Sequence, residues 1–593
     1  MTDVHQGDIL WEPTPELLQD SALARYIGWL AETRGLQFDD YQDVWRWSAT
    51  EIEGFWESVW DFFEVKASRP YSAVLPKRTM PGAGWFPGAE LNYAEHIFRH
   101  RSDDRPALVY ESELRPLGQM SWTELERQVA SVAASLRAMG LQRGDRVVAY
   151  MPNIPETIVA FLACASLGAT WSSCSPDFGD HSVVDRFRQI EPVVLFATDG
   201  YRYGGKDFDR RASAAALLAA MPTLRHVVTV PYLDPGWIGD DLQGAATWAD
   251  MLTQHDAVLE FEQVPFDHPL WVLYSSGTTG HPKAFVHGHG GILLESLKMH
   301  AFHMDLRPDD RFFWFTSTGW VMWNIVVSGL LHGSTLVLFD GNPGYPDMKR
   351  LWRFAEDAGI TVFGTSAAFL TACHKAELTP LDEFDLSHIR HVGSTGSPLP
   401  VEGFAWVYEH VNPDVWLGSI SGGTDVVCGF VGGSPLLPVR AGELQARCLG
   451  VSVQSWDDNG QPLVGHMGEL VVTEPMPSMP LRFWGDPGDA RYRESYFGVF
   501  PGVWRHGDWI EITEHGTAIV YGRSDATLNR LGVRMGSSEI YSAVEAVPEV
   551  LDSLIIGLEL PHGGYFMPLF VTLRVDAELD DDLRSKIKSQ IRA

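Results

Sequence analysis

Positive charge is scarce in this 593-residue chain. Lys and Arg together number 45 against 77 Asp and Glu, a formal net charge of -32. A phosphate backbone needs a basic surface, so this balance argues against a nucleic-acid partner. An acidic surface otherwise serves solubility. Cysteine is scarce too. Cys164, Cys174, Cys373, Cys428 and Cys448 are scattered, with no CxxC and no metal-ligand spacing. A sparse, odd set in so long a chain speaks for reduced thiols in the cytoplasm. Long apolar runs are missing as well. The longest, "NIVVSGLLHGSTLVLF", is broken by Ser, Gly, His and Thr, which fits a buried helix and strand and no membrane insertion. The opening "MTDVHQGDILWEPTPE" is acidic and lacks an apolar h-region, so no signal peptide is expected. There are no repeats and no low-complexity tracts.

What is present is globular. Hydrophobic residues make up 45% and charged residues 21%, and the length allows roughly two to four domains. "TPELLQDSALARYIGWLAETRG" reads as one amphipathic helix, with Thr14 as its N-cap and Gly35 as its stop. "EIEGFWESVWDFFEV" reads as another, its Trp/Phe stripe being core. From Gly118 the pattern becomes α/β. "SWTELERQVASVAASLRAMG" is a helix opened by a Ser121/Glu124 capping box, "DRVVAYMP" a buried strand, "PETIVAFLACASLGA" a helix, and "VVLFAT" and "LRHVVTV" strands. Such alternation implies parallel sheets covered by helices. After "YGRSDATLNRLGVRMG" come "SSEIYSAVEAVPEV" as a helix, "DSLIIGLEL" and "FMPLFVTLRV" as strands, and "DDDLRSKIKSQIR" as a charged helix. The expected architecture is a large layered α/β domain over 1–522, with 1–117 as its N-terminal extension and cap. A hinge over 523–527 and a small, mobile α+β domain over 528–593 follow.

The stretch "YSSGTTGHPK" (274–283) carries the first chemical signal. Gly277 and Gly280 free backbone amides, Ser275, Ser276, Thr278 and Thr279 add hydroxyls, and Lys283 adds charge. Successive amides in a tight loop form an anion-binding concavity. The spacing is G-x-x-G-x-x-K, with no Ser/Thr after Lys283, so it is not a Walker A loop. Taken alone, it is open between a phosphate loop and a Ser/Gly turn.

The run resembles the signature loop of the adenylate-forming superfamily of acyl-CoA synthetases, luciferases and carrier-protein adenylation domains. There the loop grips the β- and γ-phosphates of ATP, which gives Lys283 and Thr279 catalytic roles. Ala284 departs from the glycine usual after the lysine. Four further stretches fall in the family's order. "SISGGTDVV" (419–427) resembles the segment in which Thr424 would hold the α-phosphate, beside Gly423, and Asp425 would ligate magnesium. "WRHGDW" resembles a [YF]-x-[ST]-G-D motif, with His506 in place of the hydroxyl and Asp508 for the ribose. "GRSDATLNRLGVRMG" resembles the hinge motif, with Arg523 as a second ribose contact, Asp525 as pivot and Arg534 as a further cation. "HVGSTGSPLP" (391–400) resembles the turn beside adenine, at Gly396, Ser397 and Pro398, with Ser397 in place of the common Glu.

Within that superfamily, "WFPGAELNYAEHIFRHR" (85–101), "YMPNIPETIVAFLACASLGA" and "STGWVMWN" (317–324) resemble the acetyl-CoA synthetase branch. The last implies an acyl pocket lined by Trp320, Val321 and Met322, with Thr395, Gly422 and Gly423. That branch carries "WWQTE" where this chain reads "SGGTD". Gly422 then stands where a Trp closes the acetate pocket, which implies room for a longer acid. Arg202, in "DGYRYGGK", resembles a CoA-phosphate contact. The combination of "VLYSSGTTGHPKAFVHGHGG", "SISGGTDVV" and "FWGDPGDARYRESYF" resembles acetoacetyl-CoA synthetases. The implied reaction is ATP- and magnesium-dependent ligation of acetoacetate to CoA through an acyl adenylate. Propionate or butyrate are alternative acids. His287, His289 and Ser421 are candidate donors to a keto oxygen. A carrier-protein ligase would lack the "WFPG" segment. The family's C-terminal lysine segment, P-[KR]-[TS]-x-[ST]-G-K, does not occur in these 593 residues. Either the small domain is shortened or that lysine is absent. The expectation is weak adenylation, and a nucleotide-binding module stays open as the alternative. The partners implied are small molecules, and nothing in the sequence sets an oligomeric state.

Overall fold

The computed structural model describes residues 4–240, 242, 244–275, 282–525, 528–530, 533–535, 540, 543, 544, 547–560, 564–574 and 577–592. Within them the α/β pattern forms two large sheets. The eight-stranded sheet runs Ala246–Thr247, His226–Val230, Val194–Thr198, Arg146–Tyr150, Thr170–Cys174, Pro269–Ser275, Lys283–Gly288, Arg482–Phe483. Its pairings are parallel up to Pro269–Ser275 and antiparallel beyond. The seven-stranded sheet runs Trp416–Ser419, His391–Thr395, Val362–Ser366, Arg311–Trp314, Thr335–Asp340, Pro106–Ser112, Gly118–Ser121. There only the last pairing is antiparallel. Central strands such as Val194–Thr198 are buried along their whole length, which is why they read as unbroken apolar runs.

Between the sheets lie helices with little or no solvent face. Pro155–Ser166 is buried except at Glu156. All fifteen residues of His289–His303 are buried. The N-terminal helices close over this layer. Tyr26 stacks on Phe302 with ring centroids 4.5 Å apart, and Phe55, Trp56 and Trp60 enter the same core. The Trp/Phe stripe is therefore packing. The stretch expected as one helix from Thr14 to Gly35 is two, Pro15–Asp20 and Ala22–Arg34. Ser21 stands between them in an extended conformation. Its side chain accepts from the Ala24 amide and its own N–H caps Leu17. A hydroxyl that competes for the backbone breaks a helix where apolar spacing alone would continue it.

A five-stranded antiparallel sheet, in the order Pro462–Leu463, Val453–Trp456, Met467–Val472, Trp504–Ile512, Ala518–Arg523, follows the two large ones. Beyond it, Val550–Ile555 pairs with Leu569–Leu573 and Leu558–Leu560 with Gly564–Phe566, so the run "DSLIIGLEL" is two strands. The helix Asp581–Arg592 packs Leu583 and Ile587 against Val544, Val547 and Val550. Half of the expected helix over "SSEIYSAVEAVPEV" falls outside the described residues.

The core holds many neutral imidazoles. Burial pushes His96 and His300 down to about 4, and His303 and His391 down to about 3. Such groups bind fewer protons folded than unfolded, so the stability they support is full above pH 6.5 and is lost as pH falls toward 4. A drop from 6.5 to between 4 and 3 is worth roughly 3–5 kcal/mol per site, and together they rival a whole domain's stability of about 5–15 kcal/mol. The melting temperature is expected to hold from pH 8 to 6.5 and to drop steeply between pH 6 and 4. Scanning fluorimetry across that range measures it, and a flat profile contradicts the assignment.

Candidate active site

The parallel strands deliver their carboxyl ends to one cleft. Trp314, Ser366, Thr395 and Ser419 end strands of the seven-stranded sheet, and Ser275 ends Pro269–Ser275 of the eight-stranded one. Ligands of open α/β sheets bind outside such ends. A cavity of about 680 Å³ lies there. Of the residues singled out in the sequence it is lined by Ser275, Trp320, Val321, Met322, Thr395, Gly396, Ser397, Pro398, Gly422, Gly423, Thr424, Asp508 and Arg523. Thr395 Oγ1 donates to the Ile420 carbonyl at 2.8 Å, which ties the turn at Gly396 to the Ser421–Gly423 strand.

One wall comes from the five-stranded sheet. Asp508 and Arg523 are register partners on adjacent strands. Arg523 Nη1 donates to Asp508 Oδ1 at 2.9 Å, Nε donates to Asp525 Oδ1 at 3.1 Å, and Nη2 donates to Asp525 Oδ2 and to the His506 carbonyl. Burial works against the guanidinium charge, but Asp508 and Asp525 outweigh it and hold its pKa above the ordinary value. Gly507 makes this possible. Its φ is +88°, and a Cβ there would lie 2.6 Å from Arg523 Nη2. His506 is buried, with Nε2 3.5 Å from Asp508 Oδ2 and its ring edge-on to Phe430.

Lys283 and Asp425 stand beside the cavity, outside its lining. Lys283 opens the strand Lys283–Gly288 and pairs in register with Ser275. Of the connecting loop, Ser276, Gly277, Thr278, Thr279 and Gly280 lie outside the described residues. Asp425 is buried. Its carboxylate accepts from Tyr496 Oη, and its carbonyl accepts from His287 Nε2 at 2.8 Å. Tyr496 was missed by sequence reasoning, although "RYRESYF" held it in view. Nothing in that helical run distinguishes Tyr496 from Tyr492.

Other expected residues fall elsewhere. Arg202 sits on the exposed hairpin Gly200–Tyr203/Lys206–Asp209, in an ion pair with Asp207 at 2.5 Å, and does not line the cavity. Arg534 lies on Val533–Met535, whose backbone pairs with Leu528–Arg530. Of the three candidate keto donors only Ser421 lines the cavity. His287 spends Nε2 on Asp425, and His289 Nδ1 accepts from the Tyr93 amide.

The expectation for Gly422 needs correction. Its backbone lines the cavity, but a Cβ there would lie 1.9 Å from the Cys428 carbonyl oxygen and 2.9 Å from Gly429 Cα. The side-chain direction points into the paired strand Cys428–Gly432, so Gly422 is not a doorway that an indole could refill. The apolar part of the cavity lining includes Met299, Met322, Ile325, Ile420 and Cys428. Met299 comes from the fully buried helix, where no sequence pattern marks it. Gly422→Trp is therefore expected to lower the melting temperature and soluble yield, at a cost of about 1–3 kcal/mol or more, and not to redirect acid choice. A stable Gly422→Trp protein that prefers acetate in a substrate panel contradicts this.

Comparison with known proteins agrees with the geometry. A family model described as "AMP-binding enzyme" matches residues 95–479, and one described as "Acetyl-coenzyme A synthetase N-terminus" matches residues 41–97. An acetoacetyl-coenzyme A synthetase of Rhizobium meliloti (strain 1021) is 46% identical, over 98% of this chain and 90% of its own. A malonamoyl-CoA synthetase of Penicillium aethiopicum is 35% identical, over 99% of this chain and 84% of its own. The solved acetoacetyl-CoA synthetase from Streptomyces lividans superposes with a TM-score of 0.85 at 53% identity, over 99% of this chain and 90% of that one. A family model spanning more than half the chain, and full-length relatives well above 30% identity, lead to one conclusion: the chain belongs to the AMP-binding enzyme family.

Proposed function

We propose that the protein ligates acetoacetate to CoA through an acyl adenylate, with release of AMP and pyrophosphate. The observation that carries the reading is the single cavity. It is lined both by the Asp508–Arg523 pair and by the apolar side chains of Met299, Met322 and Ile325, with Thr424 and Gly396 also on its lining. A nucleotide and a short acid would share that space end to end. The class of enzyme is an AMP-forming acid–thiol ligase that uses ATP, CoA and magnesium.

In the first half-reaction a carboxylate oxygen bonds to the α-phosphorus and pyrophosphate leaves. Catalysis of such transfer is positioning and charge neutralisation. Asp508 is suited to accept the ribose hydroxyls, because an ionised carboxylate offers only acceptors. Arg523 holds that carboxylate in place from the neighbouring strand. Gly396, Ser397 and Pro398 would flank the adenine. Thr424 would donate to the α-phosphate, and Lys283 with Thr279 would attend the leaving pyrophosphate. Asp425 fits a magnesium site. Magnesium is held through one or two carboxylates and substrate phosphates, and Gly423 lets the carboxylate of Asp425 come close to the backbone, since a Cβ there would lie 2.6 Å from Asp425 Oδ2. When bound, magnesium supplies charge neutralisation at the phosphate oxygens. In the second half-reaction the CoA sulfur bonds to the acyl carbon and AMP leaves, which needs no enzyme nucleophile.

Acetoacetate is favoured over butyrate because the named relatives act on acids with a carbonyl at the third carbon, acetoacetyl in one case and malonamoyl in the other. Ser421 is the hydroxyl proposed to meet that oxygen. We place the reaction in the cytoplasm, on the strength of five buried, unbridged thiols. Among the described residues no helix is long and apolar enough to cross a membrane.

The test is a panel of acyl sulfamoyl adenosines, stable mimics of the adenylate, measured by calorimetry. The acetoacetyl compound is expected to bind at least tenfold tighter than the butyryl one, about 1.4 kcal/mol or more. Ser421→Ala should erase that difference. Equal binding of the two compounds overturns the choice of acid, and failure of all of them to compete with ATP overturns the ligase reading. A second expectation concerns the ribose. Asp508→Asn should weaken ATP by about 2 kcal/mol, as for a lost charge-assisted hydrogen bond, and an unchanged ATP affinity contradicts it.

A further inference from the structure

We propose that Tyr496 is a positioning residue for the magnesium triphosphate, joining Asp425 to Lys283 through one side chain. The proposal rests on the reading of Asp425 and Lys283 given above. Tyr496 lies on the helix Ala490–Phe497 and is only 4% exposed. Three contacts converge on it. Its hydroxyl donates to Asp425 Oδ1. The Lys283 ammonium lies over its ring, 5.1 Å from the centroid. The Trp504 indole is stacked on it, 3.6 Å away and inclined by only 11°.

These contacts define the geometry. A parallel indole at 3.6 Å leaves no room for an ammonium on that side. Lys283 therefore occupies the opposite face, and the order is Trp504, Tyr496, Lys283. A ring face attracts a cation by its quadrupole, more strongly where water is excluded. The hydroxyl lies in the ring plane and donates to Asp425 while the faces are occupied. It fixes one oxygen of the carboxylate, Oδ1, and with it the orientation of the whole group. A group that orients a ligating carboxylate is typically worth about 10–100-fold in metal affinity.

The arrangement also reaches the other end of the nucleotide. Trp504, His506 and Asp508 alternate along one strand and face the same side. Trp504 Nε1 lies 3.4 Å from His506 Nδ1, and His506 Nε2 lies 3.5 Å from Asp508 Oδ2. The ring of Tyr496 is thus braced by the strand that carries the ribose-side carboxylate. A tyrosine placed for packing alone would function equally well as phenylalanine, and that is the property to test.

Tyr496→Phe keeps the ring, the stack and the cation contact and removes only the hydroxyl. Tyr496→Leu removes all three. ATP binding is measured by calorimetry in EDTA and across a magnesium titration. Manganese binding to the protein–ATP complex is measured by electron paramagnetic resonance, and AMP affinity and melting temperature are recorded for each protein. Tyr496→Phe is expected to need about tenfold more magnesium for half-maximal tightening of ATP, with a matching loss of manganese affinity. Its AMP affinity and its ATP affinity in EDTA should stay at the unsubstituted level. Tyr496→Leu should weaken ATP in EDTA as well, because Lys283 loses its support. The proposal is overturned if Tyr496→Phe follows the unsubstituted magnesium curve. It is equally overturned if AMP and metal affinities fall together with the melting temperature. Should the unsubstituted protein bind ATP without any response to magnesium, the reading of Asp425 falls, and this proposal with it.

Discussion

A helix without a solvent face is the constraint around which the large domain is arranged. Every side chain of His289–His303 is enclosed, including one acid, one lysine and three histidines. Its polar groups must find partners inside the protein. Lys298 Nζ meets Glu295 at 2.5 Å and donates to the Leu449 carbonyl at 3.0 Å. His300 donates to Ile325, and His303 bridges the Gly433 carbonyl and the Leu449 amide. Removing one member of a buried ion pair costs about 3–5 kcal/mol, because the other is left uncompensated. The helix therefore has one depth and one rotation. Met299, one residue after the lysine, is held against the cavity by that requirement, and so is Ile325 across from His300.

From this follows a division of labour in the cleft. The two parallel sheets supply apolar walls and strand ends, which are rigid because they are buried on both faces. The five-stranded antiparallel sheet supplies the ionic wall, where Arg523 sits between two carboxylates. A hydrogen-bonded register pair places Asp508 opposite Arg523 more firmly than a loop would, since a slip of one residue would turn both side chains to the other face. Asp508 and Arg523 thus reach the cavity from a different sheet than Met299, Met322 and Ile325, which line it from the helices of the large domain.

Much of this was legible in the sequence for physical reasons. Buried parallel strands leave unbroken apolar runs, so the α/β class and most strands were plain. Functional segments made of Gly, Ser, Thr and Asp in fixed order carry a backbone requirement that few other segments share. Resemblance of those segments to known motifs is what named Thr395, Gly396, Thr424, Asp508 and Arg523, and all five line one cavity. Helix ends were less certain. Ser21 breaks a helix by capping, a local competition that apolar spacing does not register.

Only the tertiary structure decided the direction of side chains. Gly422 is a glycine because a strand passes within 1.9 Å of where its Cβ would be, and not because a pocket needed emptying. The residues of the cavity's apolar lining come from segments more than a hundred positions apart, Met299 and Cys428 among them, and no local pattern links them. Tyr496 is the same case. The sequence offers two tyrosines one helical turn apart; in the fold Tyr492 meets Trp504 edge-on, while Tyr496 stacks flat on it and is the one that reaches Asp425 and Lys283. The sequence by itself determined the α/β class, and the resemblance of its Gly-, Ser- and Thr-rich stretches to known motifs pointed to the family of chemistry, because motifs of that kind record local backbone demands. The apolar lining of the cavity and the packing around Tyr496 were decided by contacts between distant segments, which exist only once the chain is folded.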